Sequence, residues 1–259
     1  MKILELINLN YGDFKDINIS FNSGTFYSIV GGSNSGKTTL FKLISSLIPT
    51  RNAIICNNVS LNDNNYFNYL LNIGIVERVN KKSFIFNNVI DEMKYPLNNL
   101  GFSKRKTMER IIEIVDLFKA RDYLNKRISN LDYYERQKLL IMIALLHQPK
   151  VLLLDSVLDF FPKDLREEIV KVLRKYVKNG NIVLNFTKCL GNADKYILID
   201  KFNIIGEYLP KEIYLDDKLF YSHNLEIPFI TDLSVKLKMY DIVDKEYHSM
   251  KAMVDDIWP

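Results

Sequence analysis

The sequence predicts an α/β fold: a largely parallel sheet, an antiparallel β portion at the front, a helical block inserted between strands, and an appended C-terminal stretch. Three observations carry this. Short apolar runs at Thr25–Val30, Ile73–Val76, Val151–Leu154, Ile182–Phe186 and Tyr196–Ile199 read as strands. From about Ser83 to Gln148 the pattern is helical instead. After that block the chain returns to strand, helix, strand, the order that builds parallel sheets.

Taken in order, Lys2–Asn8 and Asp16–Phe21 alternate apolar and polar residues, as half-buried strands do, with a turn at Tyr11-Gly12-Asp13. Asn22-Ser23-Gly24 is a second turn before the buried strand Thr25–Val30. A helix is expected over Thr39–Ile48, stopped by Pro49, and a strand over Ile54–Val59. Within the helical block, Met108–Phe118 sets Ile111, Ile112, Val115 and Phe118 on one face. Glu135–His147 is a further helix, ended before Pro149, and Lys163–Val177 is an amphipathic helix entered through Pro162. Past about residue 206 the character changes, with Pro210, Pro228 and an aromatic-rich end. The organisation expected is a domain over 1–205, with its helical subdomain at about 78–148, and an extension over 206–259.

Composition excludes several classes. The 259 residues are 47% hydrophobic and 25% charged, which rules out disorder and low complexity. The 35 Lys+Arg against 31 Asp+Glu give a net charge of only +4, no electrostatic argument for nucleic acid. Cys56 and Cys189 are far apart, and His147, His223 and His248 form no ligand pair, so neither a zinc site nor a disulfide scaffold is expected. Glu5 and Asn8 interrupt the N-terminal apolar stretch, which therefore does not read as a signal peptide. The longest apolar run, Leu139–Leu146, is about half a membrane span, so any membrane link is expected through a partner.

One motif carries chemistry. Gly31-Gly32-Ser33-Asn34-Ser35-Gly36-Lys37-Thr38 matches G-x-x-x-x-G-K-[ST] between an apolar strand and a helix. From residue frequencies alone, a chance match in such a chain has odds of roughly one in a hundred. The glycines let backbone N–H groups turn inward on phosphate, and the helix that follows adds its positive end. Lys37 would reach the β- and γ-phosphates of ATP, Thr38 would hold Mg²⁺, and Thr39 continues the nucleotide-binding segment. The apolar strand ending at Asp155 delivers a carboxylate beside this loop as a second Mg²⁺ contact. The core is thus expected to be a P-loop NTPase.

At this point the chain resembles the ABC-type ATPases over nearly all its length. Tyr11, about twenty residues before the loop, stands where that family stacks an aromatic ring on adenine. Ile73-Gly74-Ile75-Val76 resembles the strand leading to the Q-loop. Asn88–Glu92 with Tyr95–Gly101, and the ending Leu225–Phe229 through Asp232-Leu233-Ser234 to Trp258, are similar to the ATPase subunits of energy-coupling factor (ECF) importers. The resemblance implies a subunit at the cytoplasmic face of the cell membrane, paired head-to-tail with a second ATPase and docked on a transmembrane coupling subunit. Nucleic acid is not an expected partner.

The family pattern then breaks at several places together. Where the signature has Leu-Ser-Gly-Gly-Gln, this chain has Leu131-Asp132-Tyr133-Tyr134-Glu135. Ser156 stands where the family places a water-polarising Glu, Lys188 where it has the switch His, and Arg78, beside Glu77, where it has the Q-loop Gln. Pro162 falls at the D-loop Asp position. A serine hydroxyl is no general base near neutral pH. The grip on nucleotide is expected intact and the hydrolytic machinery degenerate, in a chain that prefers a heterodimer. A shifted signature, or Glu77 serving for the Gln, is the competing alignment. The rival functions are a regulatory ATP-binding module outside any transporter and a soluble ATPase of the same type. Lys81-Lys82 and Lys104-Arg105-Lys106 read as solvated faces.

Overall fold

The computed structural model of the 259-residue chain describes residues 1–50, 52–191, 193–215, 217–223, 225, 229–244, 247 and 250–257. Strands β1 (Lys2–Tyr11) and β2 (Phe14–Asn22) make a hairpin in which Tyr11 lies opposite Phe14. Then follow β3 (Thr25–Val30), α1 (Lys37–Ile44), β4 (Ile54–Cys56), β5 (Val59–Ser60), α2 (Tyr66–Leu70) and β6 (Ile73–Val76). The helical block holds α3 (Val89–Asn99), α4 (Lys104–Leu117) and α5 (Tyr133–Leu145). The chain re-enters the sheet through β7 (Val151–Asp155), α6 (Lys163–Lys178), β8 (Ile182–Thr187), β9 (Lys195–Asp200) and β10 (Asn203–Tyr208).

Two sheets result. One is antiparallel with order β2-β1-β4-β5; the other has order β10-β9-β3-β8-β7-β6 and is parallel except for β10. Both faces of the parallel sheet are covered, which is why its strands read as unbroken apolar runs. On β7, Leu152 and Leu154 face α6 and the helical block, while Val151 and Leu153 face α1 and the antiparallel sheet. The register sets Val30 beside Thr187 and Asp155 beside Phe186, so the carboxyl ends of β3, β7 and β8 meet at one edge. In open α/β sheets that edge is where ligands sit.

Several expected elements differ. The strand over Ile54–Val59 is a hairpin, because Asn57 and Asn58 both take positive φ (48° and 64°) and turn the chain between Cys56 and Val59. The helix after the loop ends at Ile44; Ser46, at φ 61°, terminates it before Pro49 is reached. Residues 83–88 are not helical, since buried Glu92 accepts the backbone N–H groups of Ile85 (2.9 Å) and Phe86 (2.7 Å) and holds them as loop. Strand β10 is an edge strand with one half-exposed face, too weakly patterned to announce itself, and the expected boundary at 205/206 cuts through it.

Beyond β10 lie α7 (Pro210–Leu215), α8 (Asp217–Ser222), α9 (Phe229–Met239) and α10 (Met250–Ile257). Ile213, Phe220 and Leu225 join the main core, whereas Val243, Tyr247 and Met253 form a separate small cluster. Tyr240 is exposed. Trp258 and the segment 226–228 lie outside the described residues.

Candidate functional site

The Gly31–Thr38 loop leaves the buried end of β3 and closes into α1. A Cβ on Gly31 would lie 2.2 Å from the Ile199 carbonyl oxygen and 2.7 Å from Ser35 Oγ, and Gly36 holds φ 105° with Phe202 and Phe14 against it. Both positions require glycine, for space and for the left-handed backbone respectively. Gly31, Gly32, Ser35 and Gly36 are buried; Ser33, Asn34 and Thr38 are exposed, and Thr39 lies between. No side chain caps α1 and its first turn holds no acid, so its amides and positive end are left for an anion. The cradle fits a phosphate chain.

Lys37 is folded back onto this loop. Its Nζ donates to the carbonyls of Gly31 (2.5 Å) and Gly32 (2.8 Å) and to Ser35 Oγ (3.1 Å). Burial, and then the positive charge of Lys188, bring its pKa down to about 8, while Asp155 and Asp159 pull the other way. Asp155 ends β7 half-buried, and burial raises its carboxyl pKa against the Ser156 hydroxyl and the charges of Arg78, Lys37 and Lys42.

The positions read from sequence as departing from the family pattern, Ser156, Lys188 and Arg78, are each engaged. Ser156, held at φ 54°, donates its hydroxyl back to Asp155 Oδ1 at 3.4 Å. Lys188 reaches across from the end of β8 and donates to Ser33 Oγ at 3.2 Å. Arg78 stacks its guanidinium 4.4 Å from the ring centre of Phe160, just past Asp155 in the chain.

The signature segment leads into α5. Asp132 is that helix's N-cap: its Oδ1 accepts from Glu135 N at 2.8 Å, and Glu135 Oε2 accepts from Asp132 N at 2.9 Å, a complete capping box. Leu131 is buried beneath it, while Tyr133 and Tyr134 stand half-exposed, edge to face, with Tyr134 leaning on Phe161. The Asp132 carboxylate therefore has a local structural task.

Tyr11 is exposed at the tip of the β1–β2 hairpin, whose other arm places the Phe14 ring against Gly36. Two residues of the site were missed from sequence. Asp159 accepts from Thr187 Oγ1 at 2.7 Å, tying the turn after β7 to the end of β8. Gln137, buried on α5, accepts from Val79 N (2.8 Å) and donates to the Glu77 carbonyl (3.1 Å), clamping the backbone on both sides of Arg78. A glutamine among the apolar residues of a helix was the available signal for the second. His147, at the end of α5, turns its Nε2 to the Ile73 carbonyl at 3.2 Å and serves packing.

Comparison with known proteins agrees with this fold. The description of the ABC transporter family matches residues 14–158, more than half the chain. The chain belongs to the ABC transporter family. Over full length it is similar to the energy-coupling factor transporter ATP-binding protein EcfA1 of Oenococcus oeni, 25% identical with 100% of this chain and 98% of the relative covered. EcfA1 of Enterococcus faecalis is 24% identical, covering 99% and 97%. Among solved structures, CbiO1 from Clostridium perfringens, part of the transporter complex CbiONQ, superposes with a TM-score of 0.76 at 22% identity, over 90% of this chain and 98% of that one. The dimeric ATP-binding cassette MJ0796, bound to ADP and Pi, gives 0.67 at 20%, over 80% and 98%. The ABC fold, with its α/β core and antiparallel sheet, is thereby shared.

Proposed function

We propose that this chain is the ATP-binding, hydrolysis-poor member of an ATPase pair in an ECF-type importer. The observation that carries the reading is a contrast within one site. The phosphate cradle is complete, while Ser156 and Lys188 donate hydrogen bonds inward from the positions where the family activates water. The full-length similarity to EcfA1 proteins supports the transporter class.

In this reading Lys37 leaves the loop carbonyls to meet the β- and γ-phosphates of ATP. The amides of residues 32–39 turn on the same oxygens, and Tyr11 stacks on adenine. Thr38 and Asp155 would hold Mg²⁺, which supplies neutralisation of phosphate charge. Ser156 keeps its own proton, directed at Asp155, and a serine hydroxyl is no base for the attacking water. Lys188 and Arg78 add positive charge beside the phosphates, which favours retention over release.

A partner ATPase with an intact Ser-Gly-Gly signature completes the site, and the exposed Asp132, set against a phosphate in a homodimer, would oppose closure by like charge. The heterodimer follows from that asymmetry. Residues 206–259 supply the subunit contact; Phe229, Tyr240 and Ile242 are exposed apolar side chains in that stretch. Among the described residues no helix is long and apolar enough to cross a membrane, so attachment to the cytoplasmic face runs through the transmembrane coupling subunit. The test is co-purification from native membranes with identification of the co-eluting chains. A second ATPase and a membrane subunit are expected; a chain that elutes alone from membranes and cytosol alike contradicts the proposal.

A further inference from the structure

On the side of the molecule formed by α4, α5 and α6 lies a groove of about 700 Å³, within the size range of small-ligand sites. Six cationic side chains line it: Lys119 just past α4, Lys138 on α5, and Lys171, Arg174, Lys175 and Lys178 on α6. Glu168 is the one carboxylate in the lining. Among the described residues Arg174 pairs with Asp194, and the five lysines make no ion pair. We propose that this groove binds a small phosphorylated anion, at a site separate from the Gly31–Thr38 loop.

Lys138 is the decisive residue. It is only 8% exposed, yet it lines the groove and has no hydrogen-bond or ion-pair partner among the described residues. Its ammonium lies 5.7 Å from the centre of the Tyr123 ring. Lysine is almost never buried to this degree without a counter-charge. Burial accordingly lowers its pKa, with Lys119 adding to the effect, against the attraction of Glu168, Asp122 and Glu135.

An ordinary role for these lysines explains only some of them. Lys175 and Lys178 sit in the last turn of α6 and complement its negative end. Lys119, just past the C-cap of α4, complements a helix end in the same way, whereas Lys138 is mid-helix on α5 and has no such role. An anion in the groove would supply the missing partner to all of them at once. Phosphate fits best, because it carries enough charge to satisfy several ammonium groups together. The buried Phe118 and Ile169 offer an apolar wall for the organic part of such a molecule. The concave shape favours a small molecule over a flat lipid surface.

The test uses full-length protein with Lys37→Ala, which silences the phosphate loop, and inorganic tripolyphosphate as the probe in calorimetry. Binding is expected to persist in Lys37→Ala and to weaken at least tenfold on Lys138→Met. It should weaken equally in the double charge reversal Lys171→Glu, Lys175→Glu, whose positions are exposed and leave the fold intact should Lys138→Met fail to fold. Affinity should also fall steeply with salt. Absence of binding in Lys37→Ala overturns the proposal, as does binding that neither variant changes. Vesicles of anionic lipid that need these lysines, with no tripolyphosphate bound, would replace it with a membrane contact.

Discussion

Asp132 tests how the start of α5 is built into the fold. Its carboxylate caps α5 while Glu135 caps back, so each side chain satisfies one otherwise unpaired N–H. Replacing an N-cap Asp by Ala typically costs about 1 kcal/mol. Here Glu135 also loses the geometry of its return bond, although Lys126 at 3.5 Å still holds its other oxygen. Asp132→Ala is therefore expected to cost about 1–2 kcal/mol, a fall of roughly 2–8 °C in melting temperature for a domain of this size. Serine caps about as well as aspartate, so Asp132→Ser should lose only the few tenths contributed by charge at the helix end. Urea unfolding followed by circular dichroism measures both, and a double-mutant cycle with Glu135→Ala should return a coupling of at least about 0.5 kcal/mol. Asp132→Ser as destabilising as Asp132→Ala, or a coupling of zero, would refute the capping argument. The outcome bears on function, because a cap-preserving serine lets any change in nucleotide-driven pairing be ascribed to the lost charge.

Other substitutions have equally direct outcomes. Lys37→Ala should abolish the stabilisation that saturating ATP gives the wild type, about 2.7 kcal/mol at a hundredfold excess over Kd, read as a lost thermal shift. Gly31→Ala forces a Cβ to 2.2 Å from the Ile199 carbonyl and should destabilise by about 1–3 kcal/mol or more in the same denaturation assay. His147 is held neutral by burial, its pKa below the ordinary value despite the Ile73 carbonyl. The unfolded chain then binds more protons below about pH 6.5, so stability falls as pH drops through that value. His147→Gln should flatten the slope below about pH 6.5; an unchanged slope counts against it.

How much was legible in the sequence depended on where each residue's neighbours lie. The parallel strands are apolar on both faces, so Thr25–Val30, Ile73–Val76 and the run closing on Asp155 stood out from local pattern alone. The phosphate loop was equally plain, because its glycines answer to the chain's own backbone. The hairpin at Asn57-Asn58 hid because its two strands are only a few residues long, and β10 because an edge strand needs burial on one face only. Asp159 and Gln137 were invisible for a different reason. Their partners Thr187 and the Glu77–Val79 backbone are distant in sequence, and hydrogen bonds across such distances leave no periodic trace. Lys138 went unremarked for another reason: its burial comes from how α5 packs, which the local sequence does not show.

The central claim is that this chain grips ATP and does not cleave it. Mixing the purified full-length chain with γ-labelled ATP and Mg²⁺, then separating bound nucleotide and released phosphate over hours, tests it directly. Stoichiometric binding, lost in Lys37→Ala, with the bound nucleotide recovered as intact ATP, is the predicted result. Sustained phosphate release by the wild-type chain that vanishes in Lys37→Ala would contradict it.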